Sequence, residues 1–157
     1  MTKDKFVERI QKSRVSHLTQ EIASRIRPSI RLHTQPVALG DLELGATRMG
    51  GVPDLPPDVE WPQGGNAPLA FIAQVRLNDI RSLDRDSLLP PAGWLCFFYD
   101  SVDQPWGYDP THRDGWRMLY FDVPADSLRR ATVPELPKDS VFDPCSVAAE
   151  AEDTFPD

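Results

Sequence analysis

The sequence predicts an α+β fold: an N-terminal helix or two short helices, followed by a mainly antiparallel, strongly twisted β-sheet with Pro/Gly-rich loops. Three observations carry this expectation. Apolar residues recur at helical spacing only within the first 28 residues, and short runs of strand-like alternation follow, separated by turn residues. The third is the content of 16 prolines in 157 residues, which leaves no room for long uninterrupted helices after the start. Helices do not alternate with strands, which disfavours a doubly wound parallel sheet. The chain reads as one domain in three parts: a helical segment 1–28, a β-rich core 29–137 and an acidic, flexible tail 138–157.

In the first part Phe6, Val7 and Ile10, then Val15, Leu18, Ile22 and Ile26, fall three to four residues apart. The stripe slips between Ile10 and Val15, so one kinked helix or two short ones are expected, with Ser16 or Thr19 as cap of the second and Pro28 ending it. "SIRLHT" (29–34) and "LELGATRM" (42–49) read as strands, the second alternating Leu42, Leu44 and Ala46 with polar neighbours. "PLAFIAQVRL" (68–77) places Leu69, Phe71, Ala73, Val75 and Leu77 on one face, with Ala70, Ile72, Gln74 and Arg76 on the other. "GWLCFFYD" (93–100) is apolar on both faces, so it belongs mid-sheet and covered on both sides. "GWRMLYFDV" (115–123) is the last convincing strand, and "SVAAEAEDTFPD" (146–157) reads as frayed unless Phe155 docks.

Composition narrows the function. The formal charge of −7 is uneven: residues 1–33 hold eight Lys/Arg against three Asp/Glu, while everything after Lys138 holds six acids and no base. Start and end are therefore expected to attract each other weakly. Overall acidity argues against nucleic acid, which needs a clustered basic surface. No run approaches the roughly 20 apolar residues that cross a bilayer, and "MTKDKFVERIQKSR" carries charges where an export signal needs an apolar stretch. A soluble, cytoplasmic protein without membrane contact is expected, with Cys96 and Cys145 as free thiols.

No nucleotide-binding, hydrolase, zinc-protease or C-x-x-C motif occurs, so the reading leans away from an enzyme and assigns no metal and no cofactor. The weak catalytic candidates are Asp100, Asp109 and His112, in a loop (100–115) whose residues also suit a solvated connection. The ligand-binding candidates are Arg48, the Gly50 and Gly51 backbone, Trp61 and Gln74. Gln74 has a plainer role open to it, since an amide within "FIAQV" must face solvent or find partners, and bracing a neighbouring loop supplies them. Cys96, flanked by aromatics, reads as a buried inert thiol. The run "RMGGVPDLPPDVEWP" (48–62) uses glycines for unusual φ and prolines for rigidity, which makes it architectural first, with Leu55 and Trp61 as anchors.

Taken in order, "RPSIRLHT", "ATRMGGVPDLPPDVEWP", "PLAFIAQVRLNDI", "LPPAGWLCFFYD" and "GWRMLYFDV" resemble the bacterial YwqG-like family over about residues 27–123. The resemblance implies an α+β fold, an intracellular location, and no cofactor or catalytic residue to carry across. It also implies a departure: members of that family continue into a second Gly-Tyr-Pro loop and Leu-Gln strand, so this chain is expected to leave an edge or apolar face for a protein partner or a second copy. The first functional expectation is thus a non-enzymatic protein-interaction module, an immunity or toxin-neutralising role being one version by analogy. The alternatives are a small-molecule binding domain around Arg48, Gly50 and Gln74, and a metal-assisted enzyme using Asp100, Asp109 and His112.

Overall fold

The computed structural model describes residues 2–65 and 67–155. Two short helices come first, α1 (Lys3–Gln11) and α2 (Thr19–Arg25), joined through a 3₁₀ turn at Ser16–Leu18. Neither Ser16 nor Thr19 caps α2, because Thr19 Oγ1 donates to the Ser16 carbonyl at 2.6 Å instead; Ser13 Oγ accepts the Val15 N–H at 3.2 Å in the linker. Ile10 and Ile26 supply the buried apolar contacts of this segment.

The main sheet has six strands: β1 (Arg27–Pro36), β2 (Arg48–Met49), β4 (Ala70–Arg76), β5 (Trp94–Tyr99), β6 (Trp116–Phe121) and β8 (Cys145–Thr154). Their spatial order is β1-β8-β2-β4-β5-β6, and every neighbouring pair is antiparallel. A second sheet of two short strands, β3 (Asp54–Leu55) and β7 (Arg129–Arg130), lies outside it. One further short helix, α3 (Leu77–Ile80), follows β4. The fold is α+β, as the strand patterns and proline content require.

Three expectations are corrected. The first concerns 42–49, of which only Arg48–Met49 is strand. Gly45 adopts φ +77° beneath Trp94 and Leu128, a left-handed turn that ends any extended run through it. The second is the single apolar face of β4. Phe71 pairs with Phe98 but Ala73 pairs with Phe97, so Ile72 is an extra bulged residue, and the faces exchange there. Leu69 and Phe71 join one core with Leu55, Trp94, Cys96, Phe98, Phe121 and Leu128, whereas Val75 and Leu77 join Ile80 and Leu95 in a second core on the other face. Gln74, opposite Cys96, is thereby delivered into the first core.

The third correction is the tail, whose residues 145–154 form β8, a ten-residue interior strand between β1 and β2. Its acids are cross-strand partners for the basic start: Arg31 meets Glu152 at 2.8 Å and His33 meets Glu150 at 3.0 Å. The opposite charges of Arg31 and Glu152, meeting across the antiparallel pair, favour pairing over fraying. Phe155 does dock, edge-on against Phe6 at 4.6 Å, and the last two residues of the predicted tail lie outside the described ones.

Candidate functional site

Arg48 and Gln74 face each other across β2 and β4, and both are fully buried. A buried guanidinium needs a carboxylate and acceptors for its remaining donors. Arg48 Nη1 donates to Asp54 Oδ2 at 2.8 Å and to the Ala46 carbonyl at 3.4 Å, while Nε donates to the Val52 carbonyl at 3.0 Å and Nη2 to the same oxygen. Asp54, also fully buried, accepts the Gly45 N–H at 2.8 Å and Arg130 Nε at 3.0 Å. Arg130 extends the set from β7, donating to the Leu39 carbonyl at 3.1 Å and the Leu42 carbonyl at 3.4 Å.

Gln74 completes the network. Its Oε1 accepts the Asp54 N–H at 2.8 Å and its Nε2 donates to the Ala46 carbonyl at 3.1 Å. The result is a clamp holding residues 39–54 onto the sheet, with every strong polar group of Arg48, Asp54 and Gln74 committed to the chain itself. Burial pushes the Asp54 carboxyl up, but the hydrogen bonds from Arg48, Arg130 and Gly45, together with the Arg48 charge, bring it below the ordinary carboxylate range. The acid is ionised and serves as the anchor of two arginines.

Cys96 lies against this network, its Sγ 3.8 Å from Gln74 Oε1. Burial pushes its thiol up to about 12, the Arg48 charge offsetting this in part. A thiol held protonated and out of solvent is a poor nucleophile. In the folded protein a thiol reagent should modify the half-buried Cys145 and spare Cys96; titration before and after adding urea, repeated with Cys145→Ser, checks this, and rapid labelling of that variant while folded would refute it.

The other residues singled out in the sequence are placed elsewhere. Gly50 and Gly51 take φ +65° and +70°, and their N–H groups are used within the chain, donating to the Ile72 and Phe142 carbonyls at 2.8 Å each. Trp61 donates from Nε1 to the Leu69 carbonyl at 2.8 Å, meets Phe98 edge-on at 5.6 Å, and lines an open groove of ≈ 210 Å³ with Leu55, Pro56, Pro57, Val59 and Arg129. Asp100 and His112 share a third region, a hollow of ≈ 200 Å³ with Asp103 and Asp114.

The Asp100 and Asp109 carboxylates serve turns. Asp100 Oδ1 accepts the Val102 and Asp103 N–H groups at 3.0 Å, and Asp109 Oδ1 accepts the Thr111 N–H and hydroxyl at 2.8 and 2.7 Å. Those bonds, led by the Thr111 N–H, hold Asp109 below the usual carboxylate range. Among the described residues, no group of three or more His, Cys, Asp or Glu is arranged to hold a metal ion, and no helix is long and apolar enough to cross a membrane.

A row of exposed apolar residues lies on the sheet face opposite the clamp. Met49, Ala73, Phe97 and Met118 form one row across β2, β4, β5 and β6. On β6, Trp116 and Tyr120 flank Met118 on this face, by the period of two. Phe97 is 36% exposed, Tyr120 47%, Met118 50% and Trp116 53%. Beyond Met49 the face runs into a mainly apolar hollow of ≈ 300 Å³ lined by Met49, Gly50, Ile72, Phe142 and Asp143. The second core covers only the Val75–Leu95 end of the face, so β5, expected to be covered on both sides, is open on this side at Phe97. Trp106 and Tyr108, 83% and 89% exposed, stand in the loop that leads into β6.

Residues 47–155, which run from just before β2 to the end of β8, match the model of a family described as "Domain of unknown function (DUF1963)". No curated protein matches the chain.

Proposed function

The chain belongs to the DUF1963 family, and from that premise we propose that it is a non-enzymatic protein-interaction module of the YwqG-like kind, acting inside a bacterial cell. The open apolar sheet face of Met49, Phe97, Trp116, Met118 and Tyr120 carries this reading. Contiguous apolar surface on a folded protein marks a place where something else binds, and aromatic residues and methionine are enriched in such interfaces. The internal commitment of Arg48 and Gln74 supports a bracing role for them over a small-molecule site. The turn duties of Asp100 and Asp109 favour connection over catalysis in the same way. An immunity or toxin-neutralising role is one form of the proposal, since a charge of −7 suits a basic partner.

The test is affinity capture from the native cell with the wild-type chain and with Phe97→Ser, a change in the open part of the face that leaves the clamp untouched. A defined partner retained by wild type and lost by the variant is expected, and an identical set of partners on both would count against this face as the interaction surface.

A further inference from the structure

We infer that β6, the strand at the open edge of this face, pairs with a second copy of the chain, edge to edge in antiparallel register about a two-fold axis near Met118; the inference rests on the interaction reading above. The two outer strands of the main sheet are β1 and β6, and they are built differently. β1 carries Pro28 and Pro36 near its ends and the charged Arg27 and Arg31 along it, which are the usual protections of a strand edge. β6, Trp-Arg-Met-Leu-Tyr-Phe, contains no proline and one charge. An edge of that kind is a template for another strand.

The backbone bonds of β6 restrict the register. The Asp100 N–H donates to the Gly115 carbonyl at 2.8 Å, and β5 and β6 continue from there with Phe98 opposite Arg117, Cys96 opposite Leu119 and Trp94 opposite Phe121. Narrow hydrogen-bonded pairs recur every second residue, so Arg117, Leu119 and Phe121 exchange backbone bonds with β5. Trp116, Met118 and Tyr120 therefore direct their N–H and C=O groups to the outer edge. In an antiparallel pair, directly opposite residues must present their groups alike, so only even-numbered residues of the two copies can face each other in bonded pairs.

Centring on Met118 sets Met118 opposite its copy and Trp116 opposite the other chain's Tyr120, on the open face. Aromatic and methionine pairs there are favourable cross-strand neighbours. Centring instead on Arg117 would set two guanidiniums against each other. In the Met118 register, Arg117 faces Leu119 on the other side of the sheet. The strand is thus complementary to itself, which a two-fold interface requires.

Sedimentation of the purified chain over a range of concentration tests the inference, with Met118→Lys and Met118→Pro as variants. Lysine places two cations at the axis, and proline removes an outward N–H that β5 does not use, which an edge strand tolerates. Wild type should form dimers, and both variants should remain monomers with an unchanged far-UV spectrum. Because each copy carries −7, added salt should strengthen self-pairing, whereas it would weaken a basic partner on the same face. Should the variants fail to fold, amide exchange of wild type still decides: the Met118 and Tyr120 amides should gain protection as concentration rises.

A monomer at every soluble concentration, a dimer that either folded variant leaves intact, or concentration-independent exchange at those amides would overturn the pairing. A monomeric wild type that still loses a captured partner on Phe97→Ser would overturn the pairing alone and leave the interaction reading standing.

Discussion

Asp54→Ala is expected to destabilise the fold by about 3–5 kcal/mol, the usual consequence of removing one partner from a buried ion pair. The carboxylate has no solvent access and receives Arg48, Arg130 and the Gly45 N–H. Its loss leaves a fully buried guanidinium without a counter-charge and a buried N–H without an acceptor. Urea unfolding of wild type and variant, with an unchanged slope, measures the effect. A loss under about 1 kcal/mol would mean that water or a rearranged side chain replaces the carboxylate, and would remove the clamp as an organising feature. The double variant Arg48→Met/Asp54→Leu should be less destabilised than the sum of its single changes, because the charge it leaves unpaired, Arg130, is partly exposed whereas Arg48 is fully buried.

The same residue predicts a dependence on pH. Asp54 is held below its ordinary value in the fold, so its folded value lies below its unfolded one. Its contribution is then complete above about pH 4, where the unfolded carboxyl is ionised, and disappears as pH falls through the folded value. Asp153 and Glu152, lowered chiefly by hydrogen bonds from Arg85 and Arg31 respectively, add to the acid-side slope. Comparing urea midpoints of wild type and Asp54→Asn at neutral and acid pH isolates the Asp54 part. The two curves should converge as pH falls, and parallel curves would contradict the assignment.

Much of this architecture was legible in the residues, and the misses share physical causes. Helical spacing, with its slip after Ile10, is a local signal and locates both helices. The alternation of β5 and β6 is equally local. By contrast β8 is disguised by acids whose partners, Arg31 and His33, lie more than a hundred residues away. The β4 bulge is invisible because Ala70, Ile72 and Ala73 are apolar enough to satisfy either face.

The site divides in the same way. Gln74 and Arg48 stand out as polar residues in or beside apolar runs, which is why they read as candidate ligand groups. Their partner Asp54 was hidden among the acids of a Pro/Gly-rich run, and Arg130 joins it from 76 positions further on. The usable signal was the requirement itself: an arginine in a buried strand needs a carboxylate, and Asp54 is six residues away.

Gly50→Ala should be nearly as damaging, at roughly 2–5 kcal/mol, from two effects that other glycines of the chain separate. At φ +65° an alanine is strained by about 1–2 kcal/mol. A Cβ there would also stand 2.2 Å from the Asp143 carbonyl oxygen, a backbone atom that cannot swing aside, and overpacking of this kind costs about 1–3 kcal/mol. Gly107, at φ +80° with open space around it, isolates the backbone part, so Gly107→Ala should cost about 1–2 kcal/mol. Gly40 has neither a positive φ nor a neighbour within 4 Å, and Gly40→Ala should be neutral or stabilising by up to about 1 kcal/mol. Urea midpoints of the three variants test the order Gly50, Gly107, Gly40. Equal losses at Gly50 and Gly107 would show that the 142–144 segment yields to the new methyl group, so that the close approach of residues 50 and 143 is not what holds β8 beside β2 at this end.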